Sequence, residues 1–123
     1  ALRWEHVDLL GQTAYLPTTK NGHPRLVPLS TAAVAVLESL PKHAEGMVFS
    51  IQAQTVAAAF QRATKRACIS GLRFHDLRHT ATSRMADKLP NVIELAAVTG
   101  HRSLQMLKRY YHPSVAALAK KLG

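Results

Sequence analysis

Cysteine, acidic residues and long apolar runs are what this chain has least of, and each shortage narrows what it can be. The single cysteine, Cys68, cannot close an internal disulfide and suits a reducing compartment. Its apolar neighbours Ala67 and Ile69 predict a buried structural thiol. No stretch approaches the roughly 20 apolar residues that span a bilayer, and no secretory signal is visible, so a cytoplasmic protein without a membrane role is expected. Seven Asp and Glu against sixteen Lys and Arg give a formal charge of +9 and a pI near 10.3, which points to a polyanionic partner. The imbalance is concentrated from Arg62 to Arg109, where basic residues outnumber acidic ones ten to three; a merely solvated basic surface is the alternative. An initial methionine is also missing. ALRWEHVDL opens on apolar residues as though cut inside a domain, and a fragment is expected.

What is present suffices for a modest core, since 47% of the 123 residues are hydrophobic. Residues 7–29 read as a β-hairpin: the run ending Tyr15-Leu16-Pro17 and the run from Arg25 to Leu29 flank Asn21-Gly22, the favoured centre of a type I′ turn. Lys20 then stands at the first position of that turn. Pro24 and Pro28 cannot donate to a ladder, which makes the return strand an edge. Residues 31–112 read as a helical core. Ser30 caps a helix that buries Ala33, Val36, Leu37 and Leu40 and that Pro41 stops; Val56, Ala59, Phe60, Ala63 and Ala67 mark a second, ended by Gly71. A third starts near His75 with Leu77, Ala81 and Met85 inward, and Pro90 breaks it. Asn91 and Glu94 form a capping box for a fourth that runs to Thr99, with Gly100 in the left-handed position beyond. Ser103 caps a fifth, up to Pro113, and Ser114 opens a tail helix over 114–122. The expected architecture is mainly α with a small antiparallel β-sheet (α+β), one partial domain over residues 1–123.

Two stretches carry chemistry. In HDLRH, His75, Arg78 and His79 lie near one helical face, being three and four residues apart. One reading is a zinc site, because His-Asp-x-x-His differs from the metalloprotease HExxH only by Asp for Glu; the shorter carboxylate, the positive Arg78 between the ligands and the unassigned third ligand all tell against it. A second reading makes His75 and Arg78 a phosphate clamp, the guanidinium offering a planar fork of donors and the imidazole exchanging a proton. A surface helix with satisfied histidines is the third. In GHRSLQMLKRYYH, His101 sits at a turn beside a helix start, where anions are favoured. Adjacent helical residues point about 100° apart, so Tyr110 and Tyr111 cannot share one site. Leu104, Leu107 and Tyr111 fall at i, i+3, i+7, which predicts that Tyr111 is buried and that Tyr110, paired with Met106, is the freer phenol.

Taken together, Lys20 in TKNGHPRLVPL, HDLRHTATS and TGHRSLQMLKRYYHPS resemble the tyrosine recombinase (phage integrase) family in order and spacing, over nearly the whole chain. The resemblance implies the integrase-like catalytic core of DNA breaking-rejoining enzymes, acting on double-stranded DNA without metal or other cofactor. It implies that Tyr110 attacks a scissile phosphate to give a 3′-phosphotyrosyl link and a free 5′-hydroxyl. Arg78 and His101 would hold the non-bridging oxygens, His75 would support proton transfer from the phenol, and Lys20 would protonate the leaving oxygen. A tail helix that packs on a neighbouring protomer, giving a homotetramer on DNA, is implied as well, with the protein associated with the nucleoid.

Two departures stand out. The family's first catalytic arginine lies in a T-G-x-R segment ahead of the sequence matching ALRW, so the fragment is expected to lack one clamp and to be impaired; Arg3 is not that residue. Thr99 stands where leucine commonly precedes the Gly-His pair, with an expected effect on packing only. A type IB topoisomerase-like enzyme and a DNA-binding fragment without turnover are the alternative functions.

Overall fold

Thr13, Ala14, Tyr15 and Leu16 alternate inward and outward, with Ala14 buried and Tyr15 exposed, the period-two pattern of a strand with one covered face. In the computed structural model, which describes residues 1–20 and 22–123, this run is the middle strand of a three-stranded antiparallel sheet, ordered β1 (Val7–Asp8), β2 (Thr13–Leu16), β3 (Arg25–Pro28). Thr13 pairs with Pro28 and Leu16 with Arg25. β3 is an edge, as its prolines require. The link from β2 to β3 is longer than a two-residue turn, because the ladder closes at Leu16 and Arg25. Gly22 N donates to Thr19 O (2.9 Å), which moves Lys20 from the first to the second position of the turn. The expected Asn21-Gly22 centre lies partly outside the described residues, since Asn21 is not among them.

The described residues divide into two compact units, Ala1–Ala63 and Thr64–Gly123. In the first, α1 (Thr31–Ser39) starts where Ser30 Oγ accepts from Ala33 N (3.1 Å), as its cap position predicts, and buries Leu37 while Val36 stays exposed. Val48 N donates to Leu2 O and Trp4 N to Gly46 O, so the chain's first residues are held against the segment around buried Val48.

α2 (Ala53–Arg66) ends sooner than Gly71. Cys68 takes the left-handed conformation (φ 56°), its N–H bonding Lys65 O while Ile69 N–H reaches back to Thr64 O, a Schellman closure built on a residue other than glycine. The same position leaves Cys68 exposed, which corrects the expectation of a buried thiol.

In the second unit, α3 (Asp76–Lys88) packs against α4 (Val92–Thr99), which packs in turn against α5 (Leu104–Leu107). The inward face of α3 is Thr82 and Ala86 with Met85 beside them; Leu77 and Ala81 are exposed, contrary to the predicted stripe. Thr82 can be buried because its hydroxyl donates to Arg78 O (2.8 Å), which leaves its methyl group to pack. In α4, Asn91 Oδ1 accepts from Ile93 N, and Val92, Leu95, Ala96 and Thr99 turn inward at i, i+3, i+4, i+7. Gly100 ends the helix in the left-handed region (φ 77°). The expected fifth helix is shorter: α5 covers one turn and continues as a 3-10 turn, Lys108–Tyr110, before Tyr111 becomes extended. Ser114 Oγ caps α6 (Val115–Leu122) by accepting from Ala117 N.

The core of this unit is Ala86, Leu95 and Leu107, with Met85, Leu89, Val92, Ala96, Tyr110 and Tyr111 packed around them. Leu95 is fully buried, whereas Ile93 on the same helix is 66% exposed. Leu95→Ala is therefore expected to lower the unfolding free energy by about 3 kcal/mol through lost burial and a cavity. Ile93→Ala is expected to cost less than about 1 kcal/mol. Urea unfolding midpoints of the two variants check the contrast.

Candidate active site

The second unit gathers four of the five predicted site residues. His75 stands at the position before α3 without a side-chain capping bond and is exposed, Arg78 and His79 follow within the helix's first turn, His101 comes after Gly100, and Tyr110 closes the 3-10 turn. Lys20, the fifth, lies in the first unit on the exposed turn between β2 and β3.

Arg78 and His101 meet at one residue. Arg78 Nη2 donates to Thr99 O (2.7 Å), a carbonyl in the last turn of α4 that has no partner within the helix. A guanidinium is well matched to this end, where the helix dipole is negative, and N–H donors beyond the one bonded to Thr99 O remain on it for other partners. His101 Nδ1 lies 2.7 Å from Thr99 Oγ1, and Thr99 Oγ1 donates to Leu95 O (2.9 Å). Thr99, expected to act through packing alone, thus holds both groups from a site only 3% exposed.

The two tyrosines differ in their partners. Tyr111 OH donates to Leu89 O (2.7 Å), and burial, with the Glu94 charge second, pushes its pKa above the ordinary phenol value. Its proton is therefore committed to a backbone carbonyl. Tyr110 is half-buried rather than free, packs on the core, and has its OH 2.8 Å from His79 Nδ1. Its expected companion Met106 is exposed, and Arg109 lies over its ring at 5.4 Å. The imidazole on the phenol is thus that of His79, with His75 one ring further away, edge to face at 5.9 Å between centroids. In the sequence His79 is a candidate only as the second ligand of the zinc reading; its i, i+4 spacing from His75 is the local signal, and the Tyr110 contact lies 31 residues away.

Asp76 opens α3. The backbone N–H of Arg73 donates to its Oδ2 (2.8 Å) and holds its carboxyl below the usual range against a desolvation that raises it, the Arg73 and His79 charges adding to the lowering. A carboxylate so held is a poor general base. Among the described residues no three His, Cys, Asp or Glu side chains converge as a metal site.

Residues 1–116 match the model of the phage integrase family, and the chain belongs to that family. It is 50% identical over 123 residues to a shufflon-specific DNA recombinase of Escherichia coli, covering 99% of this chain and 32% of the relative. It is 38% identical over 125 residues to a putative integrase/recombinase of Haemophilus influenzae, covering 99% and 41%. The crystal structure of XerA recombinase shares the fold, with a TM-score of 0.72 at 20% identity over 98% of this chain and 48% of that one. The chain thus spans less than half the length of each of these three proteins.

Removing the Tyr111 hydroxyl is expected to destabilise the protein by about 1 kcal/mol near neutral pH. Because the folded state holds that phenolic proton to a higher pH than the unfolded chain, the native protein loses stability as pH rises past about 10. Tyr111→Phe lacks this alkaline loss, so the gap between the two should narrow there. Urea midpoints at about pH 8 and above about pH 10 read it out.

Proposed function

We propose that the chain is the catalytic part of a site-specific DNA recombinase or integrase, with Tyr110 as the nucleophile. The observation that carries this reading is the 2.8 Å contact of the Tyr110 hydroxyl with His79 on the helix that carries His75 and Arg78. The Tyr110 oxygen bonds to phosphorus as the bond from phosphorus to the 5′-oxygen breaks. The phenolic proton passes to imidazole, and the 5′-oxygen takes up a proton to leave as hydroxyl. The phosphotyrosyl ester keeps the bond energy, so a second strand can displace the tyrosine without ATP. Arg78 and His101 hold the non-bridging oxygens, whose negative charge grows in the transition state. Lys20 enters as proton donor to the leaving oxygen on the resemblance of its hairpin segment to the family.

Imidazole is a weak base for a phenol. Reference pKa values near 6.5 and 10 make the bare transfer uphill by about 5 kcal/mol. The reaction therefore needs cationic donors that stabilise the departing charge, and the surplus of basic residues from Arg62 to Arg109 supports both this and DNA binding. We assign His79 as the immediate proton acceptor and His75 as its neighbour in the relay. Taken alone, the 123 residues are proposed to cleave slowly, because the family's T-G-x-R arginine ahead of the ALRW-like sequence is not among them. The apolar residues of α6, with Val115 and Leu122 exposed, support a tetramer on DNA in which this helix packs on a neighbouring copy. A nucleoid-associated, cytoplasmic location follows from that partner.

The test uses the whole protein and a nicked duplex whose cleaved end diffuses away, trapping the covalent product. Tyr110→Phe is expected to give no adduct and Tyr111→Phe to keep it. An adduct that persists in Tyr110→Phe sinks the assignment. His79→Gln is expected to slow adduct formation by about a hundredfold, the scale of losing one proton acceptor.

A further inference from the structure

We infer that the Thr99 hydroxyl is a positioning group that fixes which nitrogen of His101 carries the proton and where the ring points. This rests on the reading of His101 as a phosphate clamp. A hydroxyl has one proton to donate and two lone pairs with which to accept. Thr99 Oγ1 gives its proton to Leu95 O at 2.9 Å, one turn back in α4. The 2.7 Å contact with His101 Nδ1 is then a bond in which Nδ1–H is the donor and Oγ1 the acceptor. A carbonyl cannot donate, so the direction of the first bond settles that of the second. The proton of neutral His101 sits on Nδ1, and Nε2 is the nitrogen turned away from Thr99.

Three features make Thr99 suited to this task. It is 3% exposed, so water does not compete for its hydroxyl. It is the last residue of α4, and Leu95, to which it is bonded, is fully buried, so the hydroxyl is held by a residue of the core. Gly100, with φ 77°, turns the chain immediately after it and brings the His101 ring back over the hydroxyl two residues behind. The same residue's carbonyl holds Arg78 at 2.7 Å. One buried threonine therefore sets the spacing of both proposed clamps, through its main chain for Arg78 and its side chain for His101. With Nδ1–H spent on Thr99, a donor from Nε2 to a phosphate oxygen requires a second proton on the ring. His101 then meets the phosphate as a cation, which stabilises the transition-state charge better than a neutral donor.

The experiment compares Thr99→Val, which keeps the shape and removes the hydroxyl, with Thr99→Ser, which keeps the hydroxyl and removes the methyl group. Long-range proton–nitrogen correlation spectra of the DNA-free protein report the tautomer of His101. The native protein and Thr99→Ser are expected to show neutral His101 protonated on Nδ1, and Thr99→Val a mixture. In single-turnover adduct formation with the whole protein, Thr99→Val is expected to be slower by about tenfold, the scale of one lost orienting hydrogen bond, with DNA affinity within about twofold and Thr99→Ser near native. An unchanged tautomer in Thr99→Val, or equal losses in the valine and serine variants, overturns the inference. The spectra need no DNA, so they decide the role of Thr99 even where a native protein that forms no adduct overturns the proposed function.

Discussion

The second unit depends on how α4 ends. Gly100 adopts a left-handed conformation that would cost a residue with a Cβ about 1 kcal/mol or more. That turn stops the helix at Thr99 and leaves its carbonyl outside the helical ladder, which is why Arg78 can take it. It also reverses the chain so that His101 meets the Thr99 hydroxyl rather than continuing along the helix axis. α4 itself is fixed by the burial of Leu95 against Ala86 and Leu107, so the apolar core and the polar site are two sides of one element.

On the proposed assignment, the tyrosine pair keeps stability and chemistry on separate residues although the residues are adjacent. Tyr111 leaves the 3-10 turn in an extended conformation, its ring on the core and its hydroxyl tied to Leu89 O. That bond and the burial behind its raised pKa make it a poor source of phenolate. Because Tyr111 anchors the chain, Tyr110 can be held by α3 through a single polar contact. Its partner, the His79 imidazole, can both accept a proton and give one back, as a reversible strand exchange requires. A backbone carbonyl accepts a hydrogen bond but does neither.

What the sequence made legible was mostly local. Ser30, Asn91, Ser114 and Gly100 were readable as helix boundaries because a cap depends on neighbours two or three residues away. The β2–β3 pairing followed from alternation and turn residues, although the length of the link did not, since the point where a ladder closes is set by the pairing of whole strands. The inward face of α3 was misread because Thr82 looks polar in a sequence and behaves as apolar once its hydroxyl is bonded to Arg78 O. Spacing and family resemblance brought Arg78, His101 and Tyr110 forward. The partners they find, Thr99 and His79, lie 21 and 31 residues from Arg78 and Tyr110 respectively, and no helical period reports contacts of that range.

The proposed chemistry also gives these contacts a use. A clamp that reorganised on binding would lose part of its stabilising effect to the ordering of long side chains, and an arginine has about 2 kcal/mol of rotamer freedom to lose. The bond to Thr99 restrains the Arg78 side chain, while the planar guanidinium still has other N–H groups with which to meet a phosphate. The same holds for His101, whose ring is oriented by a buried hydroxyl. Donors arranged in this way act on charge as it develops without further movement, which is the condition under which a few hydrogen bonds can offset the unfavourable ionisation of a tyrosine.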